Sequence, residues 1–215
     1  MKIRHFVVEE IKQTQKNYLA KKCHPVAVDS FGTEMTIEDV VFHVSESELL
    51  VLGYEKKELI VFGSFVIIKN NICKILYMHG VCVAAYKQGC GIVGRIVDYA
   101  NNLVNADFLA LRTQNPRLYK ALKKQFRSGI IYPSLANEAL NEDVISMGQY
   151  IVASLDRDSA NYDCDGMLFR QVYSECLYQS IPFTGDDEVD EIFRKKLNLV
   201  DGKSRDALLL IIPSQ

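Results

Sequence analysis

The sequence predicts a mixed α/β fold, in which helices flank a central, largely antiparallel sheet and a C-terminal extension of helix and strand completes that sheet. Three consecutive apolar runs, at residues 49–54, 59–68 and 72–83, have the composition of strands. The turns between them contain "EKK" and "KNN". Such turns are too short for a crossover helix, so the three strands should form an antiparallel meander. Runs of helical period stand on both sides of this meander.

The elements before the meander are predicted to be a strand and two helices. Residues 1–6 alternate in polarity as a short strand does, and residues 8–21 have helical period. The sequence "TIED" at 36–39 is typical of a capping box. It predicts a short helix that runs through His43.

The elements after the meander alternate between helix and strand. A helix at 92–104 is predicted to bury one stripe, which consists of Ile92, Ile96, Leu103 and either Tyr99 or Ala100. A strand at 108–113 and a helix at 117–126 follow, and Pro116 suits the first turn of that helix. Beyond residue 133 the pattern predicts a helix at 137–155, strands at 167–173 and 206–213, and a helix around 187–197.

Composition and charge exclude several classes of protein. Hydrophobic residues make up 48% of the chain and charged residues 24%, as in ordinary globular domains. With a net charge of −2, the chain lacks the basic field that holds a polyanion, so nucleic acid is not expected as a partner. No apolar run approaches the roughly 20 residues that span a bilayer, and the N-terminus lacks the features of a signal peptide. We therefore expect a cytoplasmic protein without a membrane partner, and the sequence leaves room for a homodimer.

The cysteines do not follow a metal-binding pattern. The chain has six of them, without a Cys-x-x-Cys pair or a Cys/His ligand spacing. We therefore expect reduced thiols and no metal.

The stretch "KQGCGIVGR" at 87–95 fits three kinds of phosphate-binding loop. All three use glycines that let backbone N–H groups approach phosphate oxygens, with the positive end of a helix behind them. A dinucleotide fingerprint needs its first glycine directly after a strand, but "AAYKQ" separates Gly89 from the apolar run. A P-loop needs a Lys and a hydroxyl residue, where this chain has Arg95 and Ile96. The remaining interpretation is a loop that binds the pyrophosphate of coenzyme A, with a purely structural turn as its alternative.

The segment "LYMHGVCVAAYKQGCGIVGRIVDYANNL" resembles motif A of the GCN5-related N-acetyltransferases, the GNAT superfamily. In that family a long strand ends in an apolar residue, a turn follows, and a Gln/Arg-x-x-Gly-x-Gly/Ala loop opens the next helix. The match includes Val83, Gln88 and Gly91, with Val93 where the family prefers Gly or Ala and Gly94 one residue later. Downstream, "LALRTQNPRLYKALKKQF" is similar to the family's next strand, its Asn and its Tyr-bearing helix.

This resemblance implies an acyl-CoA-dependent N-acyltransferase that moves an acetyl group to a primary amine by direct attack. Acetyl-CoA is then the co-substrate, and the partner is an amine acceptor, either a small molecule or a protein amine. The sequence has no internal repeat, no low-complexity tract and no clear linker, so one domain over residues 1–215 is expected. Residues 1–133 would bind acyl-CoA, and residues 134–215 would complete the sheet and the acceptor side. A non-catalytic acyl-CoA-binding module of the same fold is the alternative, and a scaffold without a cofactor is a third reading.

The resemblance also implies which residues bind the coenzyme. The amides of pantetheine bind an unpaired stretch of strand as an added strand does, which maps to the backbone of residues 81–83. The pyrophosphate lies on backbone N–H groups of residues 89–94, beside Gln88 or Arg95. The implied cofactor-binding residues are Val81, Cys82, Val83, Gln88, Gly89, Cys90, Gly91, Ile92, Val93, Gly94, Arg95 and Asn115.

The reaction needs a base, because the attacking amine must lose a proton. In the family the base often lies on the strand before the loop, at a position that maps to Tyr77. His79 lies two residues further on, where it shares a face with Tyr77 unless a bulge intervenes, and the pKa of histidine suits the task better. We expect His79 as the base and Tyr77 as its rival, with a structural strand histidine as the alternative.

The departing thiolate benefits from a general acid, and Tyr119 is the candidate. Asn115 resembles the family's Asn at the start of the helix, and Tyr119 lies one helical turn later, where its hydroxyl can point at the sulfur. The family commonly has its Tyr further along, where this chain has Leu122. A packed, amphipathic aromatic is the alternative for Tyr119.

Overall fold

A computed structural model describes the chain at residues 1–31, 35–126, 130–133, 140–155, 161–178 and 180–214. The chain divides into two compact units, Met1–Ala106 and Asp107–Gln215. These described ranges contain eight strands and six α-helices, which confirms the mixed α/β class. No helix within them is long and apolar enough to cross a membrane. The expectation of a single domain stays a prediction.

The first unit contains the predicted N-terminal strand and meander. Its strands pair antiparallel in chain order and are β1 (Lys2–Val7), β2 (Leu49–Glu55), β3 (Glu58–Lys69) and β4 (Lys74–Val83). β4 begins later than predicted. The reason is the side chain of Asn70, which accepts hydrogen bonds from the N–H groups of Ile72 and Cys73, both at 2.8 Å, and keeps these residues in the turn.

The helix predicted at 8–21 has different bounds. A 3₁₀ turn at Val8–Glu10 comes first, and α1 then extends over Gln13–Phe31 with Pro25 inside it. A proline in a helix removes one backbone hydrogen bond and normally favours an earlier end. Here the turns around it are buried in the core through Cys23 and Val26. This burial favours continuation of the helix.

The next two helices agree closely with the sequence. α2 (Ile37–Ser45) begins with the predicted capping box, in which Thr36 and Asp39 each bind the other's backbone N–H, at 2.9 and 3.1 Å. α3 (Ile92–Val104) has the predicted bounds. Its buried stripe contains Ala100 rather than Tyr99, and Leu103 is 47% exposed, so the prediction for Leu103 was wrong.

The core of the first unit lies between the sheet and the pair α1 and α2. Leu52 of β2, Phe62 of β3 and Cys82 of β4 belong to this cluster. The opposite face of the sheet carries α3. There a Cβ on Gly63 would lie 3.0 Å from Ile96 Cγ2, so glycine is needed for α3 to approach this closely. This packing fixes the helix that follows the candidate loop.

The second unit has its own strands and helices. The strands are β5 (Phe108–Thr113), β6 (Tyr162–Asp163), β7 (Leu168–Phe169) and β8 (Ala207–Pro213), which pair antiparallel in the order β5-β8-β7-β6. The helices are α4 (Pro116–Gln125), α5 (Glu142–Ser154) and α6 (Asp187–Lys196). Residues 137–139 of the helix predicted at 137–155 lie outside the described residues.

The strand predicted at 167–173 is wrong beyond residue 169. Met167 has a φ of 52° and Gln171 a φ of 48°. Both lie in the left-handed region, which interrupts extended backbone. The strand is therefore confined to the two residues of β7.

Candidate functional site

The loop predicted to bind a pyrophosphate joins β4 to α3. A 3₁₀ turn at Ala85–Lys87 leaves β4, and α3 begins at Ile92. Gly89 has a φ of 76° and Gly91 a φ of 70°, conformations in which an L side chain is strained. A Cβ built on either glycine would meet nothing within 4 Å. The glycines therefore serve the conformation of an exposed loop rather than close packing.

Backbone N–H groups of this loop and of the first turn of α3 face no acceptor in the described part of the chain. The first N–H groups of a helix have no intrahelical partner. In α3 the first bond of this kind joins the N–H of Arg95 to the carbonyl of Gly91 at 3.4 Å. The positive end of the helix lies at the same place, so the arrangement suits an anion such as a phosphate. The predicted residues divide into the exposed Gly89, Cys90 and Gly91 and the first helical turn of Ile92, Val93 and Gly94.

Most side chains around the loop have partners in the first unit. The Nε2 of Gln88 donates to the carbonyl of Val83 at 3.2 Å. Lys87 forms an ion pair with Glu55, which raises the pKa of Lys87 and lowers that of Glu55. Arg95 is exposed on the first turn of α3. Of the two side chains expected beside the pyrophosphate, Arg95 carries a positive charge and Gln88 is hydrogen-bonded to the backbone of the preceding strand.

The last residues of β4 differ in the direction of their backbone groups. The N–H of Ala84 donates to a β3 carbonyl at 2.9 Å, and hydrogen-bonded pairs recur at every second residue of an antiparallel ladder. Cys82, opposite Phe62, is such a pair and uses its backbone toward β3. Val81 and Val83 lie between these pairs, so their backbone groups point away from β3. The geometry therefore favours Val81 and Val83 over Cys82 for pairing with pantetheine.

The last turn of α1 forms hydrogen bonds with residues 83–85, just before the loop. The Oγ of Ser30 donates to the carbonyl of Val83 at 2.8 Å. The Oδ2 of Asp29 accepts from the N–H of Ala85 at 2.5 Å. The sequence did not single out either residue, because the predicted helix ended before them.

A β-bulge interrupts β4 at His79. Two consecutive β3 residues, 64–65, lie opposite Gly80 and Met78, so His79 is the extra residue of the bulge. His79 was expected to share a face of the strand with Tyr77 only without a bulge, so the two residues do not share a face. Gly80 takes the strand position that matches the face of Tyr77, and Tyr77 itself is only 4% exposed.

His79 packs against α2. Its ring centroid lies 4.4 Å from that of His43, with the planes at 54°, and 5.9 Å from that of Phe42. The ring of His79 is half-buried, with its Nδ1 inside. His79 is thus more accessible than Tyr77, which favours it as a proton acceptor. Two histidines do not make a metal centre, and no group of three or more His, Cys, Asp or Glu in the described ranges could hold a metal ion.

Asn115 lies in the second unit, at the predicted start of a helix. Its Oδ1 accepts from the N–H groups of Arg117 and Leu118, at 2.9 and 3.2 Å, which caps α4. Its Nδ2 donates to the hydroxyl of Tyr178 at 3.2 Å. Its part in coenzyme binding stays a prediction.

Tyr119, also in the second unit, is 1% exposed. Its ring stands edge-on to Phe193 at 6.0 Å, and its hydroxyl donates to the carbonyl of Pro133 at 3.4 Å. Burial, with a smaller effect from the charge of Glu188, raises the pKa of Tyr119 to about 12. These surroundings favour the packed aromatic, and the general-acid role stays a prediction.

Comparison with known proteins identifies the fold. No family model and no curated protein matches this sequence. Among solved structures, the chain resembles the ribosomal-protein-S18-alanine N-acetyltransferase from Escherichia coli at a TM-score of 0.52 and 9% identity, over 100% of this chain and 95% of that one. It also resembles Tetrahymena GCN5 at 0.49 and 11%, over 100% and 97% of the two chains. A presumed acetyltransferase from Pyrococcus horikoshii matches at 0.44 and 15%, over 57% of this chain and 41% of that one.

The likeness to the E. coli structure identifies the fold of this chain as that of an acetyltransferase. This is the fold of the GCN5-related N-acetyltransferases, the GNAT superfamily. The resemblance seen in the loop and its flanking elements is thereby confirmed at the level of the fold. At 9% identity, the likeness shows the fold alone.

Proposed function

We propose that the chain is an acyl-CoA-dependent N-acyltransferase that moves an acetyl group from acetyl-CoA to a primary amine. The observation that carries this proposal is the exposed loop with left-handed Gly89 and Gly91, placed between the end of β4 and the N-terminus of α3. The acetyltransferase fold supports it.

The coenzyme would bind along this loop and strand. Its pyrophosphate accepts hydrogen bonds from the N–H groups of residues 89–94 and lies near the charge of Arg95. Its pantetheine amides pair with the outward backbone groups of Val81 and with the N–H of Val83. Backbone donors recognise a phosphate without needing a particular side chain, which explains why glycines rather than lysines dominate the loop.

The chemistry requires one proton to leave the acceptor and one to reach the sulfur. The amine nitrogen attacks the thioester carbonyl carbon, so a C–N bond forms and the C–S bond breaks. His79 takes the proton of the amine at Nε2, because its Nδ1 is buried. The coenzyme leaves as a thiolate that takes a proton from water, and His79 returns the amine proton to solvent. A positioned base of this kind contributes about 10²- to 10⁴-fold to the rate.

The acceptor is proposed only as a primary amine. The E. coli structure is named for the alanine of a ribosomal protein, so a peptide with N-terminal alanine belongs in the first panel of acceptors. Lysine peptides, polyamines and aminoglycosides represent the other amines that the proposal covers. A cytoplasmic location stays part of the proposal.

A non-catalytic acyl-CoA-binding module is the second candidate, and the position of Tyr119 favours it. A residue that is 1% exposed, with its hydroxyl on the carbonyl of Pro133, is poorly placed to protonate a leaving thiolate. A module of this kind keeps the loop and binds the coenzyme. It does not release thiol in the presence of any amine.

A thiol-release assay with acetyl-CoA and the amine panel separates the two candidates. We expect saturable release with one class of amine, and a loss of about 10²-fold in His79→Gln. His5→Gln is the matched control, because His5 bonds Tyr99 through its Nδ1 at 2.9 Å and lies on β1, outside the site. Coenzyme binding without release for any amine would establish the module. Equal release by the wild type and His79→Gln would remove His79 from the mechanism.

A further inference from the structure

We propose that Asp29 and Ser30 are positioning residues for coenzyme binding. They lie in the last turn of α1 and bind the backbone of residues 83–85, the segment from which the pyrophosphate loop starts. This inference rests on the proposed function, because it concerns how the same loop is held. It adds a helix that the sequence did not connect to the loop.

The hydroxyl of Ser30 lies between two carbonyls. Its Oγ is 2.8 Å from the carbonyl oxygen of Val26, one turn back in α1, and 2.8 Å from that of Val83. A hydroxyl has one proton, so the two carbonyls share a single donor. The bond to Val26 is local, whereas the bond to Val83 spans 53 residues of sequence. Ser30 thus ties the end of β4 to the end of α1.

Asp29 makes the second long-range hydrogen bond. Its carboxylate accepts the N–H of Ala85 at 2.5 Å, across 56 residues of sequence. Hydrogen bonds with an ionised partner are shorter and stronger than neutral ones. Ala85 opens the 3₁₀ turn that leads into the loop. The bond therefore fixes the first residue after the strand.

The stability of α1 does not explain these two residues. A negative charge in the last turn of a helix opposes the helix dipole. A serine that bonds back to the carbonyl four residues earlier slightly destabilises a helix. Both residues disfavour the helix in which they lie. Their contacts with residues 83–85 are favourable interactions that offset this cost.

The carbonyl of Val83 connects these hydrogen bonds to the coenzyme loop. It accepts from both Ser30 and the Nε2 of Gln88, and a carbonyl has two lone pairs. The chain itself therefore occupies this acceptor and fixes Gln88 directly before Gly89. Without Ser30 or Asp29, the segment has more conformations. The loop must then be ordered when the coenzyme binds, which lowers affinity.

Coenzyme A binding, measured by calorimetry on the full chain, tests the inference. We expect the Kd to rise about threefold in Ser30→Ala and about tenfold in Asp29→Ala, since a bond to a charged group contributes more. Ser30→Thr keeps the hydroxyl and should retain affinity. Asp29→Asn keeps an acceptor without the charge and should fall between Asp29→Ala and the wild type. With acetyl-CoA as substrate, KM should rise while kcat at saturation stays unchanged.

The matched control is Ser154→Ala. Ser154 makes the same local bond in the last turn of α5, from its Oγ to the carbonyl of Tyr150 at 2.8 Å. Ser154→Ala removes the local bond without a long-range one and should leave the Kd for coenzyme A unchanged. Urea unfolding of each variant shows that the affinities are compared between folded proteins.

The outcomes separate this inference from the proposed function. Wild-type affinity in folded Ser30→Ala and Asp29→Ala, with binding lost in Gly91→Glu, would overturn the positioning role and leave the proposed function intact. A fall in kcat with an unchanged KM would also overturn the positioning role. No binding of coenzyme A by the wild type would overturn both.

Discussion

Replacing Gly91 with Glu tests the pyrophosphate loop most directly. The φ of 70° makes any L side chain cost about 1–2 kcal/mol in the folded state. A Cβ there would meet nothing within 4 Å, so no steric penalty adds to this strain. Native domains have a free energy of unfolding of about 5–15 kcal/mol. The variant should therefore remain folded.

Coenzyme binding should respond far more strongly than stability. Two unit charges about 4 Å apart repel by about 1 kcal/mol in water and about 4 kcal/mol at the effective dielectric constant near a protein surface. The pyrophosphate carries two charges, so the carboxylate introduced by Gly91→Glu opposes binding by at least about 2 kcal/mol, or about 30-fold in Kd. Calorimetry with coenzyme A measures this difference, and the shift of the melting temperature on binding gives a second readout.

Two control variants separate charge from strain. Gly91→Ala introduces the strain without the charge and should bind with an affinity between those of the wild type and Gly91→Glu. Gly185→Glu introduces both at a glycine with a φ of 75° and equally open space, in the second unit. It should keep the affinity for coenzyme A. Folded Gly91→Glu that binds coenzyme A as the wild type does would refute the assignment of the loop.

The remaining predictions concern the base, the tyrosine and the buried thiols. His79→Ala should lower kcat by about 10²-fold and remove the ionisation of the base from the pH–rate profile; an unchanged profile would show that another group is the base. Tyr119→Phe should leave kcat and coenzyme affinity nearly unchanged if Tyr119 is a packed side chain, as its surroundings favour; a lower kcat at constant affinity would support the general-acid role. Burial raises the pKa of Cys23 from its ordinary value of 9.0 to about 12 and also raises that of Cys82. The folded state thus keeps both protons where the unfolded chain loses them, so the free energy of unfolding should fall above about pH 9, by about 1.4 kcal/mol per pH unit and thiol. Alkaline denaturant titrations of wild type and Cys23→Ala would measure this, and equal slopes would contradict it.

The sequence predicted those elements of the fold that local patterns determine. The bounds of α3 at 92–104 and of β5 at 108–113 were predicted as observed, because apolar period and flanking turns determine them. The bounds of α1 were not, since its continuation past Pro25 depends on burial against a sheet formed later in the chain. Tertiary burial outweighs local propensity in such cases.

In the candidate site, too, the sequence predicted the local feature, the loop, but not its long-range contacts. The loop was readable because glycine is the residue that adopts a left-handed φ without strain, and two such glycines stand in one short stretch. The residues that contact the loop and its preceding strand could not be predicted from the sequence. Ser30 and Asp29 lie 53 and 56 residues before the groups they bind, and the contact of His43 with His79 depends on a bulge. A bulge leaves no clear signal in a sequence that alternates imperfectly.

The order of the candidate residues along the chain helps to decide between the two bases. Residues 89–94 would hold the pyrophosphate, and the outward groups of Val83 and then Val81 would hold the arm that leads toward the thioester. From Val83 back to His79 a strand spans about 13 Å, at about 3.3 Å per residue, and the bulge ends the regular pairing there. Tyr77 lies about 7 Å further, at a position that is 4% exposed and within regular pairing with Val66. If the coenzyme binds as proposed, His79 is thus both the nearer of the two residues to the loop and the more accessible one, which favours it over Tyr77 as the base.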